Sequence, residues 1–273
     1  MFERLDKNSI EVKKFQFEET KIILQRHEDY DRDSKSETAG HLFPEAVEKA
    51  HAESRKRIKN IIEQVSPQER KLLFFLVLSS DTTYGTGARS IETGRIIIEE
   101  IKKALKENGI NEDNLLNVSH VYKQTEKGEP RSMAQIREPL MFENTPEFVA
   151  FLKEKYPERK DFWKAYEADI EKEQRLQMGA EGPEDMANRL ESFLALIKRY
   201  SQFFYRVNPG SRLIVWCISH YDTISPWTKK YVLKEKVTEK NLPVDYGAGL
   251  TVGINKDGKA ITEIGGEEFE IEV

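Results

Sequence analysis

Residues 212–220 read RLIVWCISH: an apolar run with a histidine directly behind it. The run does not alternate between apolar and polar side chains, which predicts a central strand buried on both faces. KIILQ at 21–25, LLFFLVLS at 72–79 and LLNVSHVY at 115–122 have the same character. Helical patterns separate them. From Pro44, a favoured first-turn residue, Val47, Ala50, Ile58, Ile61, Ile62 and Val65 form one stripe. A second helix is predicted over 88–107, closed by Gly109, and a third near 146–157 with Phe148, Val149, Leu152 and Tyr156. A fourth follows Gly182-Pro183, carries Met186, Leu190, Phe193, Leu194, Ile197 and Phe204, and stops at Asn208-Pro209-Gly210. Strands alternating with helices predict an α/β fold, a three-layer α/β/α sandwich with a mostly parallel central sheet. Ligands of such sheets bind beyond the carboxyl ends of the strands.

Residues 123–145 and 158–182 are polar and irregular, and are expected to form a cap-like insertion over 123–182. Residues 241–273 alternate and contain Lys256-Asp257-Gly258, a hairpin turn, so a C-terminal antiparallel hairpin appendage is expected. The 273 residues are read as a single domain, 1–273.

Charge and composition narrow the function. The formal net charge of -5 and a pI near 5.8 argue against a nucleic-acid partner. A local arginine cluster can still be electropositive inside an acidic protein. No apolar run approaches the roughly 20 residues that span a bilayer, so no membrane partner is expected. The charged N-terminus MFERLDKNSIEVKK lacks a signal-peptide core, and the one cysteine, Cys217, forbids an intrachain disulfide. The expected setting is cytoplasmic and soluble.

Of the five histidines, His27 and His220 follow directly on apolar strands. A lone histidine after a strand is more often a loop residue than a catalyst. Two of them at equivalent strand ends can meet across one crevice. Arg26 precedes His27, and Arg89 lies in LSSDTTYGTGARSIETG beyond the strand at 72–79. Two guanidiniums and two imidazoles make a phosphate pocket: each arginine presents a rigid fork to phosphate oxygens, one imidazole attacks phosphorus and the other stabilises the charge. His41 and His51 are read as surface residues, His120 as a strand residue with a local partner, and Cys217 as core packing. His27-x-Asp29 and His220-x-Asp222 also have the form of metal-ligand pairs, but no further His-x-His or paired acidic motif follows.

Taken in order, these motifs resemble the histidine phosphatase superfamily, the phosphoglycerate-mutase-like enzymes. Its strand followed by Arg-His-Gly reads here Arg26-His27-Glu28, and HLFPEAVEKA at 41–50 is similar to its Leu-Thr-Pro-x-Gly helix start. Ser79-Ser80 followed by Arg89-Ser90-Ile91-Glu92-Thr93-Gly94 is similar to Ser-Ser and Arg-Ala-x-x-Thr-Ala. IREPLMFENTPEFVAFLKEKYP, MGAEGPEDMANRLESFL and LIVWCISHYDTI continue the series to about residue 227. The resemblance implies a phosphatase that hydrolyses a small phosphorylated substrate without metal or cofactor. His27 would become phosphohistidine, Arg26, Arg89 and His220 would hold the phosphoryl oxygens, and Glu138 would be the general acid. Glu143 and Asp222, two residues beyond His220, compete for that last role.

The chain departs from the pattern at Glu28, which replaces glycine, and at Tyr30 and Asp33, which replace a threonine and an asparagine. Arg32 is a candidate substitute cation. Two alternatives stay open: mutase-type phosphoryl transfer, and a non-catalytic member that binds a phosphorylated ligand or a protein.

Overall fold

A computed structural model describes residues 4–10, 19–33, 35–118, 129–132, 145–238 and 242–272. Its centre is a seven-stranded sheet in the order β3-β2-β4-β1-β5-β6-β7. β1 (Thr20–Arg26), β2 (Leu73–Ser79), β3 (Arg131–Ser132) and β4 (Arg212–Ser219) run parallel, and β4 lies between β2 and β1. β5 (Gly249–Ile254), β6 (Ala260–Ile264) and β7 (Glu267–Ile271) continue the sheet antiparallel from β1.

The two-residue period of the strands sorts the core into two layers. Leu213, Val215 and Cys217 of β4 join Leu190, Phe193, Leu194, Ile197 and Phe204 of the long helix α6, Pro183–Val207. Ile214, Trp216 and Ile218 face the other way, onto α1 (Pro44–Glu63) and α2 (Arg89–Glu107). Every residue of β4 is buried, which is why its sequence shows no alternation. The indole of Trp216 still needs an acceptor there, and its Nε1–H donates to Gln25 Oε1 at 2.9 Å.

The predicted helices fall where the stripes place them, and Gly109, at φ +63, follows the C-terminal turn of α2. Two expectations change. Leu115 makes only an isolated bridge to Phe75, and a turn follows, so 115–118 is not a strand; residues 119–122 lie outside the described residues. Nor are the C-terminal strands an appendage. β5 pairs with β1 from Thr20↔Ile254 to Gln25↔Gly249, which makes the antiparallel C-terminal strands three of the sheet's seven.

Residues 158–182 are also more ordered than their polarity suggested. α4 (Arg159–Glu167) and α5 (Lys172–Gln177) pack with α3 (Pro146–Lys155) around Phe148, Val149, Leu152, Phe162, Tyr166 and Ala180, a small core of the cap's own. Buried Arg175 ties this unit to α6 by donating to Asp169 at 2.7 Å and to Asp185 at 3.2 Å.

The β1–β5 seam depends on one close approach. A Cβ at Gly249 would lie 1.8 Å from the Leu24 carbonyl oxygen. Gly249→Val is therefore expected to lower stability by about 2–3 kcal/mol, the scale of an overpacked core, read as a fall in Tm. An unchanged Tm would show that β5 can shift away from β1 at little cost. Among the described residues, no helix is long and apolar enough to cross a membrane.

Candidate active site

Parallel pairing aligns the carboxyl ends of three strands. Arg26 is opposite Ser219, and the His27 N–H donates to the Ser219 carbonyl at 3.0 Å. The residues just past β1 and β4 are therefore neighbours, and the His27 and His220 rings lie 5.1 Å apart, edge to face. Beyond β2, the Ser80 N–H donates to the Ile218 carbonyl at 3.0 Å. That places the Ser80 hydroxyl 3.1 Å from His220 Nε2.

Arg89, the first residue of α2, bridges the pair. Its Nε–H donates to His27 Nε2 at 3.1 Å, and one terminal nitrogen lies 3.5 Å from His220 Nδ1. A guanidinium can only donate, so His27 Nε2 must carry a lone pair. The ring's proton sits on Nδ1, where it donates to the Glu28 carbonyl at 2.7 Å. By the same logic His220 Nδ1 accepts and its Nε2–H points to Ser80. Burial, reinforced by the charge of His220, Arg89 and Arg26, drives the His27 pKa well below its ordinary value. Burial and the same two arginines do likewise for His220. Both imidazoles are neutral at neutral pH, and His27 keeps a lone pair on Nε2.

Arg26 completes the cationic wall. One terminal N–H donates to the Val244 carbonyl at 2.6 Å, and the guanidinium lies 3.7 Å from the Tyr246 ring centroid and 5.0 Å from that of Tyr221. Its Nε is buried with no hydrogen-bond partner among the described residues. Tyr30 covers the other arginine, its ring 4.5 Å from the Arg89 guanidinium and 5.2 Å from the His27 ring. Under these tyrosines the pocket is closed: His27 and Arg89 are 3% exposed and His220 2%.

Asp222 lies in the first turn of α7 (Tyr221–Trp227). It is buried, and its Oδ1 has no partner among the described residues. Burial pushes its pKa up to about 6, against the pull of Arg89 and Arg26. A carboxyl raised to about 6 beside two arginines can give up or take a proton in the mildly acid range.

The departures from the family pattern resolve locally. Glu28 has no positive φ, so its position does not require glycine. Its carboxylate is buried against Gly247, in a cluster with Lys7, Glu53, Arg57 and Lys49, and burial raises its pKa. Asp33 is exposed and accepts from the Lys35 N–H at 3.0 Å. Arg32 reaches the pocket's mouth, donating to the Tyr246 hydroxyl and pairing with Asp29.

The structure thus brings Arg26, His27, Arg89, His220 and Asp222 together. Glu138 and Glu143 lie outside the described residues, as does His120. His41 pairs with Glu92 at 2.6 Å and His51 with Glu100 at 2.9 Å. Among the described residues, no group of three or more His, Cys, Asp and Glu side chains is placed to hold a metal ion. Tyr246 and Tyr221 were not singled out from sequence, where nothing local marks them; their partner is Arg26, across the sheet.

No family model and no curated protein matches the sequence. Among solved structures, the chain is similar to a phosphoglycerate mutase from Bacillus anthracis str. Sterne, at 13% identity and a TM-score of 0.48 over 92% of this chain and 94% of that one. It is also similar to a protein described as mycobacterial hydrolase 2, at 13% identity and a TM-score of 0.47 over 93% of each chain.

Proposed function

We propose that the chain is a phosphomonoesterase of the histidine phosphatase type. The observation that carries this reading is Arg89 spanning two neutral imidazoles, 3.1 Å from His27 Nε2 and 3.5 Å from His220 Nδ1. In this mechanism a phosphate dianion displaces the tyrosine rings from the arginine faces. Its oxygens take the donors of Arg26, Arg89 and His220, charge-assisted bonds of the stronger kind. His27 Nε2 attacks phosphorus, the bond to the leaving oxygen breaks, and Asp222 supplies that oxygen's proton. The Glu28 carbonyl holds the Nδ1 proton throughout and so stabilises the positive charge on the phosphorylated ring. Water then attacks phosphorus, the P–N bond breaks, and Asp222 recovers a proton from the water. The two arginines supply the positive charge that a metal ion would otherwise bring, and the neutral His220 ring adds a hydrogen bond.

A second reading, a non-catalytic protein that binds a phosphorylated ligand, is favoured by one observation. Tyr246 and Tyr30 already cover the arginines, at 3.7 and 4.5 Å. Hydrolysis of an aryl phosphate in excess EDTA separates the two. The first reading expects inorganic phosphate to be released at an undiminished rate. Activity abolished by EDTA would require a metal-dependent mechanism. Phosphate binding without turnover would favour the binding protein.

A further inference from the structure

Behind Asp222, on the cap side of the pocket, lies a partly open cavity lined by Tyr166 and Glu167 of α4, by Tyr221, Asp222 and Ser225 of α7, and by Lys229. It has room for about one water molecule, near the smallest space that can hold one. Two buried polar atoms in its lining residues, Asp222 Oδ1 and the Tyr166 hydroxyl, have no hydrogen-bond partner among the described residues. Buried polar groups are rarely left unmade, because each costs free energy unless protein or ordered water satisfies it. Glu167 is half-exposed and marks the solvent side, while Lys229 is buried.

We propose that this cavity holds the water that hydrolyses the phosphohistidine, delivered to Asp222 from the cap side. The inference rests on the phosphohistidine reading and adds to it a water-binding site. Once the substrate has displaced Tyr30 and Tyr246, its leaving group fills the front of the pocket, so a water kept behind the acid need not enter past it. Asp222 belongs to both spaces: it walls the cavity and it feels the charge of Arg89 and Arg26. Once the leaving group has taken the Asp222 proton, the carboxylate accepts a hydrogen bond from this water and orients it. As the leaving group departs, the water moves past the carboxylate into the vacated position opposite Nε2. Its oxygen forms a bond to phosphorus, the P–Nε2 bond breaks with its electron pair returning to the imidazole, and the water's proton goes to Asp222. Tyr166 is here a positioning residue, acting on the water rather than on the phosphoryl group.

The test separates the two half-reactions. Ser225→Val fills the cavity, and Tyr166→Phe removes one anchor with no change of shape. Rapid-quench measurement with an aryl phosphate follows phosphoenzyme formation and decay, and added glycerol competes with water for the phosphoryl group. The ratio of decay to formation is expected to fall about tenfold in Tyr166→Phe, the effect of one lost hydrogen bond, and further in Ser225→Val. Phosphoenzyme then accumulates, and the glycerol phosphate to phosphate ratio rises. An unchanged ratio in both variants overturns the proposal. A high-resolution crystal structure of the wild type provides a readout independent of activity: a water bonded to Asp222 Oδ1 and the Tyr166 hydroxyl supports the site, and a dry cavity overturns it. A wild type that never forms a phosphoenzyme overturns the phosphohistidine reading itself, and this inference with it.

Discussion

His27→Ala is expected to turn over an aryl phosphate at least about 10⁴-fold more slowly than the wild type, the scale of losing a nucleophile from a pre-organised site. The size of the loss follows from the pocket. Arg26 and Arg89 stay in place and still bind the phosphoryl group, so KM should move little while kcat collapses. Water cannot substitute efficiently, because the pocket is shaped to present an imidazole nitrogen whose lone pair is fixed by the Nδ1 bond to the Glu28 carbonyl at 2.7 Å. Removing the ring also strips Arg89 of its acceptor at 3.1 Å. A loss of kcat with phosphate binding retained therefore identifies His27 as the attacking group, and free imidazole soaked into the vacated space should restore part of the rate. Activity within about tenfold of wild type would remove His27 from the chemistry.

Asp222→Asn is expected to cost a factor on the order of 10² to 10⁴ in kcat/KM and to change the shape of the pH profile. The working form of Asp222 is the protonated one. With its pKa pushed up to about 6, that form dominates below pH 6. kcat/KM should thus decline by about tenfold per unit above that point. The neutral nucleophile does not oppose this at mildly acid pH, because the His27 pKa lies well below its ordinary value. An acidic optimum follows, and the amide should abolish the alkaline limb. If Glu138 is the acid instead, Glu138→Gln takes the loss and Asp222→Asn leaves the profile unmoved.

Stability gives the same residue an opposite sign. The folded Asp222 pKa exceeds its ordinary value of 3.8, so the folded state binds more protons than the unfolded chain between about pH 4 and 6. Stability therefore falls as pH rises through that window, and Asp222→Asn should raise Tm at pH 7. A gain in stability with a loss of activity is the mark of a site strained for function.

Much of this was legible in the sequence because it is local. A run such as RLIVWCIS announces a buried strand, and a histidine one step beyond it announces the strand's end, so His27 and His220 could be paired from pattern alone. The cations were legible by the same logic. What depends on distant partners was not. The Glu28 side chain turns into the cluster with Lys7 and Arg57 because of where α1 and the N-terminal turn lie. The alternation of 249–271 is visible, but a period of two says only that one face is buried and not which strand lies alongside. Gly249 decides that, by letting β5 approach Leu24. At 115–118, apolar content suggested a strand, but the backbone makes only a single bridge, Leu115 to Phe75, and the Asn117 side chain, not its backbone, bonds Val77 of β2 at 2.8 and 2.9 Å.

The position of β1 in the sheet also bears on how the chain is made. Its residues, Thr20–Arg26, emerge from the ribosome long before the strands they pair with, Arg212–Ser219 on one side and Gly249–Ile254 on the other. Translation must therefore proceed for on the order of ten seconds or more before the centre of the sheet can close. Until then Ile22, Ile23 and Leu24 are bare strand edge, open to pairing with other nascent chains. Such a protein is expected to depend on holding chaperones during synthesis, and to aggregate when ribosomes stall before β4 and β5 are made.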